Sequence, residues 1–202
     1  MDLTANRDGV DRTDSRGRGG APLPAVGDFL TALRASRLLT SEELSTFLGD
    51  HPGIEEQETA NLIAALVRDG LLNDYHVARL LAGQTFGLVF DNYRVLELLS
   101  QRTGHSIVFK AEHVQLKRLV ALKVFTAEVD RHSGFLQRFQ GALQALSVLN
   151  HPHIALTFHA GEVESPGSPS RVLRYLVREY VPGQDLERLV REHGPPGGRS
   201  GL

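Results

Sequence analysis

The spacing of apolar residues first changes near residue 90, and that change limits the fold more than any other feature. From Phe29 to Gly83, apolar residues recur every three to four positions, the period of a helix with one buried face. The stretch also repeats itself. "FLTALRASRLLTSEELSTFL" (29–48) aligns with "LIAALVRDGLLNDYHVARLL" (62–81) at a constant offset of 33 residues. Leu33 meets Leu66, Leu38 and Leu39 meet Leu71 and Leu72, and Leu44 and Phe47 meet Val77 and Leu80. Thr40 and Asn73 fall at matching N-cap positions after the Leu-Leu pair, and Glu43 gives the first copy a capping box. Each copy reads as helix, short turn, helix, and two copies suit a four-helix unit over residues 25–86. Two units are too few to favour a solenoid. A DNA-reading helix-turn-helix needs cations for phosphate, and "NDYHVARLLAG" offers Arg79 but no basic cluster.

From Asp91 the period drops to two. "NYRVLELLS", "SIVFKAEH" and "LVALKVF" are short runs rich in β-branched residues, and they predict a three-stranded antiparallel meander. "SGFLQRFQGALQALSVLN" (133–150) carries a helical stripe at 135, 136, 139, 142, 143, 146 and 149, with Ser133 as its N-cap. "HIALTFHAGEV" and "SRVLRYLVREYV" predict two more strands, joined by the proline, glycine and serine loop "ESPGSPS". "GQDLERLVREHG" opens a further helix. The order is β-β-β-α-β-β-α, an α+β fold with a five-stranded antiparallel sheet and one main helix. Residues 1–24 have almost no large apolar side chain and are expected to form a disordered arm. At the other end "GPPGGRSGL" (194–202) is expected to be an irregular tail.

Composition removes several classes of function. A formal net charge of −2 gives no global field towards nucleic acid or an acidic membrane. With no cysteine there is neither a disulfide nor a thiolate metal site. No apolar run approaches the roughly 20 residues of a membrane helix, and the start lacks the apolar core of a secretory signal. A cytoplasmic protein is the expectation. His151, His153 and His159 lie close in sequence without a nearby carboxylate, so no metal site is expected.

Alternation along "RLVALKVF" (118–125) puts Val120, Leu122 and Val124 on one face and Ala121 and Lys123 on the other. A half-buried ammonium needs a partner. "VALK" at 120–123, then "RFQGALQALSVLNHPHIALTFHAGEV", then "YLVREYVPGQDL" (175–186) resemble, in this order, the N-terminal lobe of bacterial eukaryotic-like serine/threonine protein kinases. The resemblance covers residues 91–193, and the helical repeat is more loosely similar to a segment ahead of the kinase domain in some large bacterial kinases. It implies ATP as ligand. Lys123 would contact the α- and β-phosphates, and Val108 and Ala121 would cover adenine. The hinge would read the base through the carbonyl of Glu179 and the N–H of Val181, and Asp185 would accept from a ribose hydroxyl. Gly104 is the one glycine left in the phosphate loop.

The same resemblance exposes departures. The loop "SQRTGHSIV" (100–108) has Gln101, Thr103 and Ser106 at the family's glycine positions. Ala142 stands where the family places the glutamate that holds the lysine, and no Asp or Glu occurs from Arg131 to Ala160. Lys123 is therefore expected to turn to solvent or to find an acid outside that helix. Arg178 adds a charge just before Glu179. The base Asp and the Mg-binding Asn and Asp of the family lie beyond the hinge and are absent from these 202 residues. The expectation is a degenerate, truncated lobe that is inactive as this chain. ATP binding would be weak or vestigial, with Mg only if a C-terminal lobe is supplied. The alternative is a pseudokinase-type adaptor, with a protein partner on residues 25–86 or on the exposed hinge side, and no nucleic acid or membrane partner.

Overall fold

A computed structural model describes residues 22–102, 106–125, 134–165 and 168–194. Its first part is four helices in two similar corners: α1 (Val26–Ser36), α2 (Ser41–Asp50), α3 (Thr59–Arg68) and α4 (Asp74–Leu81), with a 3-10 turn at Ile54–Glu56 between the pairs. Helix α1 stops because Arg37 takes a left-handed conformation, φ 58°, which turns the chain into Leu38 and Leu39. Thr40 then restarts it. Its hydroxyl accepts from the Glu43 N–H at 3.1 Å, and the Glu43 carboxylate accepts from the Thr40 N–H at 2.8 Å. The second corner repeats this with different chemistry: Asn73 Oδ1 accepts from the His76 N–H at 2.9 Å, and His76 Nδ1 accepts from the Asn73 N–H at 3.2 Å. A histidine in the box position is a detail the capping-box pattern of Glu or Gln does not flag. Inside, Leu33, Leu38, Leu62, Leu66 and Leu72 form one buried cluster with Phe29, Leu44 and Phe47.

Thr40→Ala and Asn73→Ala should each lower stability by about 1 kcal/mol, the worth of an N-cap. The loss should be larger at Asn73, whose Nδ2 also donates to the Leu96 carbonyl at 3.0 Å. Urea unfolding midpoints of the two variants test the order, and equal midpoints would refute it.

The second part is an all-antiparallel sheet of β1 (Val89–Phe90), β2 (Tyr93–Arg102), β3 (Ser106–His113), β4 (Arg118–Phe125), β5 (Thr157–Ser165) and β6 (Ser168–Glu179), in the order β1-β2-β3-β4-β6-β5. The expected five strands become six. Val89 and Phe90 pair with Arg94 and Tyr93 across the two-residue turn Asp91-Asn92, and Asp91 adopts φ 48°, a conformation Asp tolerates better than most residues. The sheet thus begins at 89, not 91. Helix α5 (Phe135–Ser147) follows β4, and its N-cap is Gly134 with no side-chain bond; the expected cap, Ser133, lies outside the described residues. The strands β5 and β6 run further into "ESPGSPS" than its prolines suggest, leaving only 166–167 between them. Helix α6 (Leu186–His193) ends the described chain. Among the described residues, no helix is long and apolar enough to cross a membrane.

One face of the sheet is the second core. Val120, Leu122 and Val124 pack there with Ile107, Phe109, Ala111, Leu173, Tyr175 and Val177. The sheet curls around it. Tyr175 on β6 donates its hydroxyl to Asp91 Oδ2 at the β1–β2 turn, and the Tyr93 ring on β2 stacks on His159 of β5. The two cores are also interleaved along the connecting chain. Phe86 packs on the sheet cluster, Leu88 is fully buried in the helical cluster, and Phe90 returns to the sheet.

Candidate functional site

Opposite the sheet core lies the face that carries the predicted lysine. Residues directly across a strand pair share a face. Lys123 stands across from Val108 on β3 and Leu176 on β6, and Ala121 across from Lys110 and Arg178. Val108, Ala121 and Lys123 are all half-buried, so three of the predicted site residues do converge on one surface. Lys123 Nζ lies 5.2 Å from the centroid of the Phe125 ring. That ring meets Phe135 and Phe139 of α5 at 5.5 and 5.3 Å, so aromatic contacts seat the helix beside the lysine. Ala142, at the family's glutamate position, is exposed on α5.

Two further cations join this face. Lys110 Nζ is 3.9 Å from Glu97 Oε2 and 5.2 Å from the Tyr180 ring centroid, linking β3 to the segment after β6. The strand alternation of "SIVFKAEH" puts Lys110 beside Val108, so it could have been read from the sequence. Arg178 donates from Nη2 to the Ala155 carbonyl at 3.2 Å, while its Nε is buried without a hydrogen-bond partner. A small alanine between cations can accept a flat ring with an anionic tail.

The hinge segment is tied down at its start. The Glu179 N–H donates to the Leu156 carbonyl at 2.8 Å, and Glu179 Oε2 accepts from the Leu156 N–H at 3.2 Å. The backbone of Val120 pairs with Glu179, which sets the hinge beside Ala121. Val181 is exposed. Asp185 caps α6, its Oδ1 accepting from the Arg188 N–H at 2.7 Å, which commits one carboxylate oxygen to the helix. Helix α6 buries no side chain and is supported by the pairs Arg188–Glu192 and Arg191–Glu187. Gly104 and Thr103 lie outside the described residues; on either side of them Gln101 is exposed and Ser106 buried. The three histidines divide. His151 Nδ1 accepts from the His153 N–H, whereas His159 stacks on Tyr93.

No family model matches the chain. It is 39% identical over 105 residues to the serine/threonine-protein kinase PknB of Mycobacterium tuberculosis, covering 52% of this chain and 16% of that protein. PknB of Mycobacterium leprae is 37% identical over 105 residues, with the same coverage of 52% and 16%. The chain therefore spans 16% of the length of these curated relatives. Among solved structures, the PknI kinase domain of Mycobacterium tuberculosis is 25% identical, with a TM-score of 0.44, over 55% of this chain and 41% of that one. The sequence relatives of this chain are bacterial serine/threonine protein kinases, and the similarity is to a part of them.

Proposed function

We propose that residues 89–193 form the nucleotide-facing lobe of a serine/threonine protein kinase-like domain, with ATP as its ligand, and that these 202 residues do not transfer phosphate alone. The observation that carries the reading is the shared face of Val108, Ala121 and Lys123, with Glu179 paired alongside at the end of β6. Bound ATP would supply a transferable γ-phosphoryl group. Lys123 would pair with its phosphates, Val108 and Ala121 would lie against the base, and the Glu179 carbonyl and Val181 N–H would fix the ring's edge. Gly104, the one glycine of the loop, would be its phosphate contact. Asp185, holding its helix with one oxygen, keeps the other for a ribose hydroxyl. Binding is expected to be weak, because side chains at Gln101 and Ser106 replace glycines. Mg would enter only with carboxylates from outside these residues.

A protein partner on the hinge side is the second reading. Val181 ahead of α6 and Leu186, Leu189 and Val190 on it are exposed, and among the described residues the helix buries no side chain.

Calorimetric titration with Mg-ATP tests the first reading. Lys123→Ala should weaken binding about tenfold or more, the scale of a charged hydrogen bond of about 1.5–3 kcal/mol. Equal affinities of the two proteins would refute the role of Lys123. With radiolabelled ATP, no incorporation into the protein or a generic substrate is expected; incorporation that disappears in Lys123→Ala would overturn the inactivity.

A further inference from the structure

The two corners of the helical repeat hold the same strand. Glu43 and His76 occupy the same capping-box position, one repeat of 33 residues apart. Glu43 Oε1 lies 3.8 Å from Arg94 Nη2, and His76 Nε2 lies 2.5 Å from the Val95 carbonyl oxygen. Equivalent residues of the two copies thus reach consecutive residues of β2. Asn73 adds its Nδ2 bond to the Leu96 carbonyl. Here β2 is irregular, its pairing with β3 slipping between Val95 and Glu97. A bulge leaves an extra residue unpaired in its ladder. The helical repeat supplies donors to the carbonyls of Val95 and of Leu96, the residue that the register skips.

His76 has one workable protonation state in this position. Its ring is 2% exposed, and Nδ1 accepts from the Asn73 N–H, so the proton sits on Nε2 and is donated to Val95. A second proton would go on Nδ1, facing another donor. The ionisable groups around it are Arg94 on β2, Glu43 on α2, which pairs with Arg94, and the neighbours Asp74 and Tyr75 on α4. Arg79 follows one turn later on α4, and the charge that acts on the ring is the Arg94 cation, which opposes a second proton.

We propose that His76 is a pH-operated latch fastening the helical repeat to strand β2, and that its protonation frees β2 at the bulge. The strand runs on from there to Ser100, which stands across from Val108 of the candidate site. Burial holds the His76 pKa below the ordinary 6.5, with Arg94 adding to it against the opposing bond to Val95. The unfolded chain takes up this proton near 6.5 and the folded chain only below that. The stability contributed by the neutral latch is therefore complete above about 6.5 and is lost as pH falls below it.

Amide hydrogen exchange on the whole chain at pH 7.5 and 5.5, corrected for intrinsic rates, tests the latch. The Val95 N–H donates to the Leu88 carbonyl at 2.9 Å and reports on this junction, while Leu122 on β4 reports on the sheet core. Protection at Val95 and Glu97 should fall severalfold at the lower pH, towards the roughly tenfold ceiling that one histidine with an unfolded value near 6.5 sets over this interval, with Leu122 changing less than twofold. In His76→Gln, whose amide can make both bonds without titrating, the selective fall should vanish. An unselective change in the natural protein, or a selective fall that persists in His76→Gln, overturns the proposal. Should His76→Gln not fold, the side-chain nitrogen spectrum of the natural protein decides. A protonated Nε2 at pH 7.5 that titrates below the exposed histidines supports the latch, and a protonated Nδ1 or an ordinary midpoint overturns it.

Discussion

Gly161→Val should destabilise the protein by about 3 kcal/mol or more, at the upper end of overpacking costs. Gly161 on β5 stands across from Tyr175 on β6, and the tyrosine ring lies over it. A Cβ at this position would fall 2.5 Å from Tyr175 Cζ. The backbone there suits any residue, so the cost comes from the ring alone. The ring has nowhere to go. It is fully buried, its hydroxyl is held by Asp91, and Phe90 and Tyr93 press on it edge-on. Burial and the Asp91 carboxylate also push the phenol pKa well above its usual value, so the hydroxyl keeps its proton as a donor. Urea unfolding of Gly161→Val should show a much lower midpoint, and the added cost should shrink in a Tyr175→Leu background. An unchanged midpoint would mean that the ring yields. A loss of this size is a large fraction of the 5–15 kcal/mol that typically holds a domain folded.

Leu33→Ala and Leu66→Ala should each cost about 2–5 kcal/mol, the range for emptying a leucine site in a packed core. The two residues are equivalent in the repeat, have no exposure, and belong to one cluster. Their losses should not add, because residues that share a core couple. The double variant should leave the helical unit unfolded at room temperature, with its helical circular dichroism lost. Two single variants with near-native midpoints would show that the four helices do not rely on this cluster.

Much of the helical half was legible because its signals are local. A leucine every third or fourth position, a Thr or Asn before it and a 33-residue offset specify corners without knowledge of the rest. What was hidden is where those corners point. Nothing near His76 in sequence signals that its ring will meet a carbonyl 19 residues away. Strand β1 was missed because two residues carry no period, although the Asp-Asn pair between apolar dipeptides is a turn signal. At the candidate site, alternation placed Ala121 and Lys123 on one face and the kinase resemblance added Val108, and alternation applied to β3 would have added Lys110. The partners of Arg178 and Glu179 were not legible. They are the backbone of Ala155 and Leu156, more than 20 residues earlier, brought close only by the β5–β6 pairing.

The alternation of Phe86, Leu88 and Phe90 between two cores has a consequence for anyone who would cut and join this protein. The point at which its halves can be exchanged does not lie in the chain between the last helix and the first strand. Neighbours in this series answer to different halves, so any change in the length of the segment would draw at least one of them away from its own core. A chimaera that carries the repeat to another lobe must take the chain through Leu96 with it, and the seam then falls inside β2.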